Sequence, residues 1–198
     1  MVDFSKYADE YVKTISDGLL STIATDKNSK VLDTNSALET WADETQVRRN
    51  VRALFFFAGN GASATMAEHL SHDCFQNADL LTYTVSETSH LTAISNDISY
   101  EDVFAFRIGK RCEARDVLIT ISSSGNSPNI IKAIKTARDK GMFIVTLSGK
   151  NADNKSRVLG DLNFYVPLDT YGLVESAHAA LLHCWLDLFL DKYAGGRH

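Results

Sequence analysis

Proline is nearly absent, two in 198 residues, and cysteine is scarce at three. With so little proline and no low-complexity tract there is no candidate linker, and no repeat of solenoid period is present, so the reading is one domain. Cys74, Cys112 and Cys184 are an odd number at unpatterned spacing, which excludes a disulfide framework and fits reduced thiols in the cytoplasm. No charged-then-apolar leader opens the sequence, and its apolar runs fall short of the ~18–20 residues of a membrane span, so neither export nor a membrane is expected. Basic excess is missing too. A net charge of −5 gives no field to neutralise a nucleic-acid backbone, so direct nucleic-acid binding is not expected. What is present is a 44% hydrophobic chain, long enough to bury roughly 70% of its unfolded surface. Stability therefore needs no metal, and any metal would serve function.

Residues 1–50 read as a helical arm packed on the same domain. Tyr7, Tyr11, Val12, Ile15 and Leu19 fall near helical spacing, and a second amphipathic segment runs from about Ala37 to Arg49. From residue 51 onward the pattern changes to short apolar runs bounded by turn residues: Ala53–Ala58, Leu80–Val85, Val117–Ile121, Met142–Leu147 and Leu162–Val166. Continuous β-branched and aromatic runs suit strands buried on both faces. Alternating with helical segments, they predict an α/β domain over 51–198, a doubly wound, flavodoxin-like parallel sheet flanked by helices. Ligands in such sheets sit at the carboxyl ends of the strands, which points to the loops after residues 58 and 121.

Both loops carry suitable chemistry. After the strand ending at Ile121 the chain reads Ser122-Ser-Ser-Gly-Asn-Ser-Pro128. Ser127 suits an N-cap, Pro128 the first helical position, and Gly125 a positive φ or a close backbone approach. Ser122, Ser123, Ser124 and Ser127 place hydroxyls beside the positive end of a helix, an anion site made without lysine. One or two serines there would only cap a helix; four at a strand's carboxyl end favour the anion site. The second loop, Gly59-Asn60-Gly61-Ala62-Ser63, is common turn chemistry alone, but beside the first it suggests a ligand held from two strand ends.

These motifs resemble the SIS-domain sugar isomerases, in particular the phosphoheptose isomerases and their replication-initiator-associated relative. The resemblance runs through the Gly59–Ser63 loop, His69, Leu91-Thr-Ala-Ile-Ser-Asn-Asp97, Ile121–Pro128, Glu175-Ser-Ala-His178 and His183. It implies metal-assisted aldose–ketose isomerisation of sedoheptulose 7-phosphate to a heptose 7-phosphate by enediolate proton transfer. It also implies zinc or another divalent ion, and a homotetramer with active sites at subunit contacts. Carried over by position, Asn60, Gly61, Ala62, Ser63, Ser122, Ser123, Ser124 and Ser127 would bind substrate, with Asn96 and Asp97 at the sugar hydroxyls and Glu175 beside them. His69, Asp73, Glu175 and His183 would hold the metal, Asp73 would be the general base and His183 its acid/base partner.

The chemistry of that set is reasonable. His69 and Asp73, four apart, share a helical face, and Glu175 and His183, eight apart, lie about 80° apart on the wheel. Two imidazoles and two carboxylates suit zinc, although spacing alone fits surface ion pairs as well. The sequence departs from the family where Asp73 replaces glutamate, Glu175 replaces glutamine, Asn77 replaces arginine, and Gly172 and Met66 replace acidic residues. Shortening the base by a methylene moves it by roughly 1 Å. The altered pair motivates an alternative, a non-catalytic sugar-phosphate-sensing or partner-binding SIS protein. His72, His178, Tyr171, Trp185 and Phe189 read as residues without a part in the chemistry.

Overall fold

The computed structural model of the protein describes residues 4–196. In chain order the elements are α1 (Tyr7–Leu20), β1 (Ile23–Asp26), β2 (Val31–Leu32), α2 (Thr34–Asn50), β3 (Leu54–Gly59), α3 (Ala62–Ala78) and β4 (Leu81–Thr84). They continue with α4 (Thr88–Asp97), α5 (Val103–Arg111), β5 (Val117–Ser122), α6 (Pro128–Asp139), β6 (Phe143–Gly149), β7 (Leu162–Val166) and α7 (Tyr171–Tyr193). Each of the five apolar runs is a strand.

The seven strands form one sheet in the order β2-β1-β7-β6-β5-β3-β4. From β7 to β4 all pairings are parallel. Counted alone, these five strands run 2-1-3-4-5, the flavodoxin-like order, which puts the topological switch point between β3 and β5. Beyond the parallel strands, the N-terminal segment adds a hairpin that the sequence pattern did not reveal. Its strand β1 pairs antiparallel with β7. The hairpin turn is held by the Asp26 carboxylate, which accepts from Asn28 and Lys30 amides at 2.8 and 2.9 Å. A strand of four residues ending in Thr-Asp, paired with one of two, carries too little alternation to register between two helices.

Alternate strand residues feed two cores. Phe55, Phe57, Ile119, Val145 and Phe164 pack under α2, α3 and α7. Phe56, Ala58, Leu118 and Ile144 pack under α5 and α6. Trp185 of α7 stacks on Trp41 of α2, with centroids 4.2 Å apart and planes 8° from parallel, and its indole N–H donates to Thr45 at 3.2 Å. Trp185 and Phe189 are fully buried, as expected. Of the first helix's stripe, Tyr11, Ile15 and Leu19 pack on the core, whereas Tyr7 and Val12 are exposed. α7, at 23 residues, is long and apolar enough to cross a membrane by length and composition alone. Its apolar residues pack on the sheet.

At the amino ends of the strands the buried Asp116 carboxylate accepts from the Leu54 amide at 2.8 Å and the Glu113 amide at 2.7 Å. This ties β3 to β5 and fixes the register that brings their carboxyl-end loops side by side.

Candidate active site

The loops after β3 and β5 line one cavity of about 290 Å³ with Asn60, Gly61, Ala62, Ser63, Ile121, Ser122, Ser123, Ser124 and Ser127, closed by Tyr171 and Glu175 of α7. The backbone explains the glycines. Gly61 adopts φ +56 and Gly125 φ +62, the left-handed region. A Cβ on Gly125 would stand 2.0 Å from Asn154 Oδ1. The segment after β6 presses against this loop from behind: the Ser156 amide donates to the Gly125 carbonyl at 3.0 Å and the Lys155 amide to Asn126 Oδ1 at 3.0 Å. Ser127 stands at the N-cap of α6, but its hydroxyl makes no capping bond. The buried Ser123 hydroxyl has no partner at all. A buried polar group left unpaired costs about 1–3 kcal/mol, and here the buried Ser123 hydroxyl is kept uncommitted beside the positive end of a 12-residue helix, whose half-buried N-cap Ser127 makes no capping bond either. That arrangement suits an anion.

Asn60 lies in the cavity wall, yet its side chain is engaged elsewhere. Its Nδ2 donates to Asn129 Oδ1 at 3.0 Å, while its Oδ1 accepts from Asn129 Nδ2 at 2.9 Å and from the Tyr100 hydroxyl at 2.9 Å. The reciprocal amide pair bridges the switch point, so Asn60 sets the spacing of the two loops instead of offering a free group to the ligand. Asn129, only 2% exposed, went unrecognised in the sequence; a polar residue directly after the helix-opening proline was the available signal. Tyr171, expected to pack, is 57% exposed and lines the cavity. Asn96 and Asp97 sit exposed at the end of α4, bonded to each other at 2.9 Å, and are not in the cavity wall.

The metal-capable residues divide. His69 and Asp73 of α3 and His183 of α7 converge, their ligand atoms all within 4.8 Å of one another. His69 Nε2 lies 3.2 Å from Asp73 Oδ2, and the two imidazole rings are 5.5 Å apart at 61°. Two imidazole nitrogens and a carboxylate are a fitting donor set for a divalent ion with an open coordination position. Glu175 is not in the group. It shares a side of α7 with His183, but eight residues place them about 12 Å apart along the axis, and Glu175 belongs to the serine cavity. Likewise Ser63 and Asp73 are separated by about 15 Å of α3. One chain thus holds two half-sites: a hydroxyl cavity and an imidazole–carboxylate cluster whose His69 and His183 are exposed.

His178, between the two on α7, is fully buried; its Nε2 donates to the Ser148 carbonyl at 3.1 Å and its Nδ1 has no partner. Burial pushes its pKa down from 6.5 to about 4, so the ring is neutral. His72 is exposed and outside the cluster. All three cysteines are free, and burial raises the Cys74 thiol, which excludes it as a nucleophile.

Fold and site together describe a flavodoxin-like α/β protein with a hydroxyl-rich cavity at its switch point. Residues 30–149 match the SIS domain family. The chain belongs to that family. Among curated proteins, the phosphoheptose isomerase of Alkalilimnicola ehrlichii is 34% identical over 146 residues, which cover 70% of this chain and 74% of that protein. That of Helicobacter pylori is 37% identical over 142 residues, covering 69% and 73%. A solved phosphoheptose isomerase from Francisella tularensis superposes with a TM-score of 0.81 at 20% identity, covering 96% of this chain and all of that one.

Proposed function

We propose that the protein is an aldose–ketose isomerase of carbohydrate metabolism acting on sedoheptulose 7-phosphate, in the cytoplasm. The observation that carries this reading is the serine-lined cavity at the switch point, in a chain 34% identical to a phosphoheptose isomerase. The serine hydroxyls and the start of α6 hold the phosphate and so fix the sugar carbons relative to the proton-transfer groups, the arrangement that makes such transfer fast. Asp73 takes the proton from C1 and returns it at C2, while His183 gives a proton to the carbonyl oxygen and recovers one from the neighbouring hydroxyl. Residues His69, Asp73 and His183 would hold a divalent ion, zinc by their donor chemistry, which when bound supplies charge stabilisation for the enediolate oxygen. Asp73 has two oxygens and His183 two ring nitrogens, so ligation through one atom of each leaves the other for the proton.

The separation of the half-sites bears on assembly. A heptose phosphate spans roughly 10 Å at bond lengths of about 1.5 Å, less than the axial distance from cavity to cluster within one chain. We infer that the cavity of one protomer meets the exposed cluster of another, in a homotetramer. The test is conversion of sedoheptulose 7-phosphate followed by NMR with zinc present. Turnover that Asp73→Asn and His183→Gln each abolish is expected. Binding without turnover in the wild type would leave a sugar-phosphate sensor instead, and variants as active as wild type would remove the cluster from the mechanism.

A further inference from the structure

The cavity has a charge deficit. A phosphate monoester carries roughly −1.5 to −2 at neutral pH, yet the wall that would receive it contains Glu175 and no lysine or arginine. The start of α6 contributes only about half a charge. Hydroxyls and amides can seat the anion, but a cation within reach would balance its remaining charge, and the fold holds one at the rim. Lys150 follows β6, the strand next to β5, and its ammonium rests 3.9 Å from the centroid of the Tyr171 ring, which lines the cavity. Among the described residues the ammonium has no carboxylate partner.

Its backbone is unusual as well. Lys150 adopts φ +58, a conformation that glycine takes freely and that strains a lysine. The strain is held in place: the Lys150 amide donates to the Leu168 carbonyl at 2.9 Å, and its own carbonyl accepts from the Tyr165 hydroxyl at 2.9 Å. Glycine would fit this turn better, so stability does not account for a lysine here.

We propose that Lys150 is a substrate-binding residue: its ammonium leaves the Tyr171 ring to meet the phosphate of the bound sugar phosphate. This rests on the sugar-phosphate reading above. The lysine stem rotates freely about four carbons, and the aromatic ring serves as a resting place that keeps the charge at the cavity mouth without neutralising it, as a carboxylate would.

The test reads stability and affinity in the same variants. Lys150→Gly, Lys150→Met and Lys150→Arg are compared with wild type by urea unfolding, and by calorimetric titration with sedoheptulose 7-phosphate and with unphosphorylated sedoheptulose. Lys150→Gly is expected to raise the urea midpoint while weakening the phosphorylated sugar roughly tenfold, about 1.4 kcal/mol. Lys150→Met weakens it equally, Lys150→Arg retains it, and binding of the unphosphorylated sugar is unchanged throughout. If Lys150→Gly and Lys150→Met bind the phosphorylated sugar as wild type does, Lys150 has no such role and the sugar-phosphate reading stands. Equal losses for both sugars would make the lysine a structural residue of the turn. Wild-type protein that binds neither sugar overturns the reading and the lysine's role together.

Discussion

His178 offers a prediction whose size follows from its surroundings. Because Nε2 donates to the Ser148 carbonyl, the second proton would have to go on Nδ1, in a fully buried space that holds no partner for it. The folded ring therefore titrates at about 4, against 6.5 for a free imidazole. With the folded pKa depressed, the unfolded chain binds the extra proton first, so stability is full above pH ~6.5 and declines as pH falls toward ~4. At 1.36 kcal/mol per unit, the whole window costs about 3 kcal/mol, of which about 2 kcal/mol falls between pH ~7 and pH ~5. Urea unfolding followed by the fluorescence of the stacked Trp41 and Trp185, at one fixed protein concentration and at both pH values, measures this directly. His178→Leu removes the titrating group, so the loss between the two pH values should be smaller in the variant by about 2 kcal/mol, whatever its stability near neutrality. Equal losses in variant and wild type would refute the buried neutral histidine.

Two further substitutions test how the cavity is built. Gly125→Ala sets a Cβ against Asn154 Oδ1 at 2.0 Å and strains a φ of +62, so thermal unfolding should show a loss of about 1–3 kcal/mol, and affinity for sugar phosphate should fall with it. Asn129→Ala removes both amide bonds to Asn60 across the switch point; a destabilisation of about 1–3 kcal/mol is expected, with the KM for the phosphorylated sugar raised because the two loops lose their fixed spacing. A variant with wild-type stability and KM would show that the pair sets nothing.

How much of this could be read from the sequence depended on whether the signal was local. The five parallel strands showed as continuous apolar runs because both of their faces are covered, and the serine loop showed because a strand, four hydroxyls, a glycine and a proline sit within one short stretch. The hairpin β1–β2 did not show, since its four- and two-residue strands draw their stability from pairing with β7, far away in sequence. Tyr171 looked like a core aromatic because nothing in the sequence tells which face of α7 meets the sheet. For Glu175, a shared side of α7 with His183 does not bring the two together within one chain, because each residue also advances about 1.5 Å along the axis. Asn60 appeared free because its partners, Tyr100 and Asn129, lie 40 and 69 residues on.

The convergence of the two half-sites on one substrate is tested most directly by mixing two inactive variants. Ser124→Asp puts a carboxylate into the serine loop of a chain whose cluster is intact, and Asp73→Asn removes the proposed base from a chain whose cavity is intact. Unfolded and refolded together in equal amounts, they should recover turnover of sedoheptulose 7-phosphate at about a quarter of the wild-type rate, because random pairing across subunit contacts rebuilds about a quarter of the sites. A refolded mixture as inactive as either variant alone, beside a fully active wild type treated in the same way, would contradict a site shared between protomers.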